Sequence, residues 1–144
     1  MSAEARDRSV EPSAATAGFP RAARLLKHSD FERVYKQGRR HFSSHMTVFY
    51  LRQAEGASPQ GTSRVGFTVG RVLGGAVQRN RIRRRLREAV RQRRSVLMGA
   101  DGGDVVGVDV VINPKKSVLT VEFSVVLDEV GRALETIAKK LESK

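Results

Sequence analysis

Between Arg79 and Arg94 the chain reads RNRIRRRLREAVRQRR, and few folds can hold such a segment. Nine of its residues are arginine (79, 81, 83, 84, 85, 87, 91, 93, 94) and one, Glu88, is acidic. Threaded through the charge, Ile82, Leu86, Ala89 and Val90 recur at i, i+4, i+7 and i+8, the spacing of one apolar stripe on an α-helix. Gly74-Gly75 breaks the chain just ahead, so the spacing predicts a helix from Ala76 to about Arg94. The stripe must be buried against other elements while the remaining faces carry cations into solvent. Exposed helix faces usually mix signs so that i,i+4 pairs compensate. Here compensation is nearly absent, and the repulsion along the helix points to a polyanionic partner.

The rest of the composition agrees. Lys and Arg number 27 against 15 Asp and Glu, a net +12, and the helix supplies nine minus one, or +8, of it. Nucleic acid is the first polyanion to consider. An anionic membrane surface is second, and the stripe argues against it because it lacks Trp and Phe and belongs to a core. No apolar run is long enough to span a bilayer. The N-terminal residues include Glu4, Asp7 and Glu11 and no apolar core, so they do not read as a secretory signal, and a cytoplasmic location is expected. With no cysteine, disulfides and thiolate metal sites are excluded. At 144 residues and 40% hydrophobic content the chain should form one globular domain, residues 21–144, after a disordered tail at 1–20.

The periodicities predict the order helix, strand, strand, helix, strand, helix. Ser29 and Asp30 offer N-cap chemistry before Phe31, Val34 and Tyr35, which share a helix face that Gly38 would end. Met46–Arg52 and Arg64–Gly70 read as strands, and the Ala54–Thr62 loop between them suggests an antiparallel pair. Val105–Ile112, ended by Asn113-Pro114, reads as a strand buried on both faces. Phe123, Leu127, Val130, Leu134, Ile137 and Leu141 mark a last amphipathic helix. The expected class is an α/β sandwich, a small sheet packed by helices.

On Met46–Arg52 alternation places Val48, Tyr50 and Arg52 on one face, and a tyrosine beside an arginine suggests an open binding face. Phe31, Tyr35 and Tyr50 could stack on unpaired bases, and the Gly66-Thr68-Gly70 face would let RNA approach the backbone. Arginine suits phosphate, since its fork binds two oxygens and its plane stacks on bases, and Asn80 adds donors and an acceptor. His28, His41 and His45 are scattered, no paired carboxylates or Ser/His/Asp set stands out, and no catalytic residue or metal site is expected. Charge alone leaves a ribosomal or ribosome-assembly protein and a DNA-binding regulator as alternatives.

Three stretches resemble the protein subunit of bacterial ribonuclease P: Leu25-Leu26-Lys27-x-x-Asp30-Phe31-x-x-Val34-Tyr35-x-x-Gly38, Arg64-Val65-Gly66-Phe67-Thr68-Val69, and Gly74-x-Ala76-Val77-x-Arg79-Asn80-Arg81-Ile82-Arg83-Arg84-Arg85-Leu86-Arg87-Glu88-Ala89. The resemblance runs from Leu25 to about Leu141. It implies a mixed sheet with a left-handed βαβ crossover, in which the arginine helix joins two parallel strands, Arg64–Gly70 and Val105–Ile112. It implies a 1:1 complex with a catalytic RNA, bound through Arg79, Asn80, Arg81, Arg83, Arg84, Arg85, Arg87 and Arg91. It implies a cleft for the single-stranded 5′ leader of precursor tRNA, lined by Phe31, Tyr35, Tyr50, Arg52, Arg64, Thr68 and Arg71. The implied chemistry is Mg²⁺-dependent endonucleolytic removal of that leader, with the metal held mainly by the RNA. Two departures stand out: Gly70-Arg71-Val72 replaces the family's Ser-Lys-Lys, and Asn113-Pro114-Lys115-Lys116 replaces its Ala-Arg-Pro.

Overall fold

The computed structural model describes residues 23–53, 63–97 and 107–142; the expected tail at 1–20 and the predicted loop at 54–62 lie outside these. In chain order the elements are α1 (His28–Gln37), β1 (Arg39–Phe42), β2 (Met46–Arg52), β3 (Arg64–Phe67), α2 (Ala76–Arg93), β4 (Val108–Pro114) and α3 (Phe123–Glu142), with 3₁₀ turns at Arg71–Leu73, Arg94–Leu97 and Lys116–Leu119. The sheet order is β1-β2-β4-β3. β1 and β2 are antiparallel, as are β2 and β4, while β3 runs parallel to β4.

This is the expected sandwich with a mixed sheet, and it corrects one pairing. β2 and β3 do not form the antiparallel pair that their short connection suggested. β4 lies between them, Val110 facing Tyr50 on one side and Val65 on the other. Physics favours the exchange, because β4 is the most apolar strand and only a central position buries both of its faces. The strand also runs on through Asn113 and Pro114, where Pro114 pairs with Met46. Sequence reading missed β1, whose Arg39-Arg40-His41-Phe42 shows no apolar alternation because it is an exposed edge.

One face of the sheet carries the main core. Val48, Tyr50, Val65, Val110 and Ile112 meet Ile82, Leu86, Ala89 and Val90 of α2 and Val126, Val130, Leu134 and Ile137 of α3. Most of these side chains are fully buried, each contributing about 1.5–3 kcal/mol relative to exposure. The opposite face holds a smaller cluster in which Leu25, Val34 and Val111 are covered by Phe31, Tyr35, Phe49 and Leu51. Among the described elements α1 is the one helix on that side. It begins at His28 without a side-chain cap, so Ser29 and Asp30 fall inside the first turn. At its end Gly38 passes so close to β2 that an added Cβ would stand 2.6 Å from the Tyr50 carbonyl oxygen. Gly74, at φ 129°, makes the left-handed turn before α2 that favours glycine, and Gln78 Oε1 accepts the Gly75 N–H at 3.1 Å.

Candidate nucleic-acid interface

The stripe of α2 faces the core, so its arginines divide by direction. Arg81, Arg84 and Arg87 are exposed, as is Asn80, while Arg79, Arg83 and Arg91 are half-buried. Arg83 donates to Asn80 Oδ1 at 3.0 Å, which stiffens this corner. The Arg79 Nε is buried and has no hydrogen-bond partner, a donor awaiting an acceptor. Arg91 forks onto Glu88 at 3.0 and 2.5 Å. That hydrogen-bonded pairing holds the Glu88 carboxyl below its usual range and raises Arg91. Arg87 is lowered, chiefly by partial desolvation of its guanidinium against the surface and then by the like charges of Arg24 and Arg83. Arg85 departs from the expectation that it projects outward. Its Nη1 donates to the carbonyls of Val118 and Val121, at 2.6 Å each, and ties α2 to the turn before α3.

The α1 face of the sheet forms a second site. The Tyr35 hydroxyl donates to Asn113 Oδ1 at 2.8 Å. With that proton engaged, the Thr68 hydroxyl, 2.5 Å away, must donate to the tyrosine oxygen. This fixes the Asn113 amide and leaves its two N–H groups for other acceptors. The Tyr35 ring meets Phe49 edge-on, with centroids 4.9 Å apart at 88°, and the Arg40 guanidinium lies 5.4 Å from the Phe49 centroid. The Phe31 ring covers Gly66, where a Cβ would stand 2.5 Å from Cζ. Gly66 is therefore buried and is no platform for RNA, whereas nothing covers Gly70.

Two expected cleft residues, Tyr50 and Arg52, lie on the opposite face, and a third, Arg64, is engaged within the fold. Tyr50 is 2% exposed and belongs to the main core, on the far face from Tyr35, since β2 alternates and Thr47, Phe49 and Leu51 hold the α1 side. Arg52 shares the Tyr50 face and donates to the Leu141 carbonyl at 2.8 Å. Arg64 is on the α1 side but is spent on Asp109. Its Nε and Nη2 donate to that carboxylate at 2.9 and 2.8 Å, and this pairing raises its pKa. Asp109 is fully buried and also accepts from Arg33 at 2.8 Å and from Gln53 at 2.8 Å. Asp30 bridges Arg33 at 3.2 Å and Arg64 at 3.6 Å. The cluster clamps α1 to β3 and β4. Arg71 is exposed in the turn after β3.

The family model for ribonuclease P matches residues 19–138. This chain belongs to the ribonuclease P protein family. The ribonuclease P protein component of Citrifermentans bemidjiense is 33% identical over 125 residues, covering 87% of this chain and 97% of the relative. That of Oleidesulfovibrio alaskensis is 41% identical over 96 residues, covering 67% and 69%. Among solved structures, the ribonuclease P protein of Thermotoga maritima aligns with a TM-score of 0.63 at 26% identity, covering 78% of this chain and 96% of that one. The Staphylococcus aureus protein shares the fold at a TM-score of 0.61 and 23% identity, covering 81% and 95%. Asp109, Arg33, Asn113, Phe49 and Arg40 escaped the sequence reading. Only Asp109 carried a signal, as the one charge inside the apolar Val105–Ile112 run.

Proposed function

We propose that this chain is the protein subunit of ribonuclease P, which binds the catalytic RNA and the 5′ leader of precursor tRNA in a cytoplasmic ribonucleoprotein. The observation that carries the reading is the uncompensated cationic surface of α2. From Ser63 to Arg87 the chain holds eight arginines and no acid, and two of them, Arg64 and Arg85, are spent inside the fold. Arg79, Asn80, Arg81, Arg83, Arg84, Arg87 and Arg91 then dock onto phosphates of the catalytic RNA, and their fork geometry favours backbone contacts over base reading. The leader lies on the α1 face, where Phe31, Tyr35 and Thr68, joined by Asn113 and Phe49, offer aromatic edges and amide donors to unpaired nucleotides. Arg71 extends the positive surface beyond β3.

In this reading the endonucleolytic step belongs to the RNA partner. Mg²⁺ bound mainly by that RNA supplies the activated water and the charge stabilisation at phosphorus. Among the described residues no three His, Asp or Glu side chains converge as a metal-binding group. The protein neutralises phosphates, holds the leader in register and thereby lowers the magnesium needed. Reconstitution with a ribonuclease P RNA at low magnesium tests this. Adding the protein should accelerate 5′ processing of precursor tRNA, and unchanged processing would overturn the reading.

A further inference from the structure

Residues 24–25 add a short edge beside β3, through a parallel bridge from Arg24 to Val65 and a 3.0 Å hydrogen bond from the Leu25 N–H to the Val65 carbonyl. Between this edge, β3 and α2 opens a cavity of about 230 Å³. Leu26, Phe31 and Phe67 form its apolar lining, Arg24, Arg83 and Arg87 its charged one, and no carboxylate stands among the described residues that line it. Two features are unfavourable in water. Leu26 is an apolar side chain left 54% exposed, and Arg83 and Arg87, like charges one helical turn apart, meet no carboxylate among the described residues of the wall. One ligand relieves both: a flat apolar ring joined to an anion. A paired duplex cannot supply it, because its bases are stacked and its edges engaged. An unpaired nucleotide can, with its base against Leu26 and Phe31 and its phosphate on Arg83 and Arg87.

We propose that this pocket takes one unpaired nucleotide of the catalytic RNA. The choice of RNA rests on continuity. Arg83 and Arg87 stand one turn apart on α2, and Arg83 is hydrogen-bonded to Asn80 within the surface assigned to that RNA. Phe31 stands at the border of the leader platform, which is organised one turn further along α1, around Tyr35, Thr68 and Asn113. The inference therefore depends on the ribonuclease P reading and adds a base-selective element to a dock otherwise made of phosphate contacts.

Leu26→Ala, Arg87→Ala and Arg87→Lys test it in the full chain reconstituted with a ribonuclease P RNA. Leu26 is exposed, so its replacement should leave the circular dichroism spectrum and thermal midpoint intact. Leu26→Ala should weaken affinity for the catalytic RNA roughly five- to tenfold with no change in salt dependence, since no charge is lost. Arg87→Ala should lower the salt slope by about one, and Arg87→Lys should restore the slope without full affinity. Chemical probing should show one unpaired base protected by the wild-type protein and reactive with Leu26→Ala. Unchanged RNA affinity and protection with Leu26→Ala, beside a wild-type protein that still stimulates processing, would overturn the pocket and leave the family function standing. Loss confined to leader-bearing over leaderless substrate would also overturn it, assigning the pocket to the leader. A wild-type protein inert towards the RNA would overturn both.

Discussion

Asp109 shows how one residue sets the geometry of a surface it never reaches. It is the buried charge on the α1 side of β4, and it receives Arg33 from α1 and Arg64 from β3. Asp109→Ala would leave two guanidiniums facing a low-dielectric gap. It should cost about 3–5 kcal/mol, read as a lower urea midpoint. Glu88 works in the opposite sense. It is the lone acid of the arginine segment and diverts Arg91. Glu88→Gln should strengthen RNA binding and steepen its salt dependence by about one, measured by titration at several ionic strengths. The pH sign follows from the lowered Glu88 carboxyl. A depressed acid stabilises above its unfolded value and loses that contribution as pH falls through the folded one, so wild type should show a small acid-limb loss that Glu88→Gln lacks.

At the level of the element, α2 serves both the core and the RNA, and neighbouring arginines serve different ends. Arg85 satisfies two carbonyls at the turn before α3, whereas Arg84 is exposed. Arg85→Ala should lower the thermal midpoint, since removing charged hydrogen bonds of this kind costs about 1.5–3 kcal/mol each. Arg84→Ala should leave the midpoint alone and weaken RNA binding instead. Paired melting and binding curves separate the two. Nothing in the order of the letters distinguishes 84 from 85, because the difference lies in what stands opposite. The stripes of α2 and α3 were legible for the contrary reason: each residue of a stripe meets the core whatever the partner. Tyr50 marks the limit. Alternation grouped it rightly with Val48 and Arg52, but which face of β2 meets two helices and which meets one is decided by α2 and α3, far along the chain. β1 was illegible because an exposed edge strand needs no apolar pattern.

For the molecule as a whole, charge and topology act together. The helices of the main core lie on one side of the sheet and α1 on the other, which separates the arginine dock from the tyrosine platform and keeps both within one small domain. Binding to RNA should therefore be strongly salt-dependent, and Arg79→Ala with Arg81→Ala should lower the slope of log K against log salt by about 1.5–2. An unaltered slope in filter binding would remove those two residues from the dock. Class and helices could be read from the sequence, and the family resemblance implied the parallel pairing of β3 with β4, while the insertion of β4 between β2 and β3 could not be read, since pairing between distant strands leaves no local mark.

The central place of β4 has a consequence for the order of events during synthesis. A nascent chain that has emerged only as far as Leu97 already carries the complete arginine segment, but β2 and β3 have no neighbour to join them until Val108–Pro114 follows. Such long-range closure is intrinsically slow. The segment best able to seize RNA is thus synthesised before the strand that completes the scaffold aiming it.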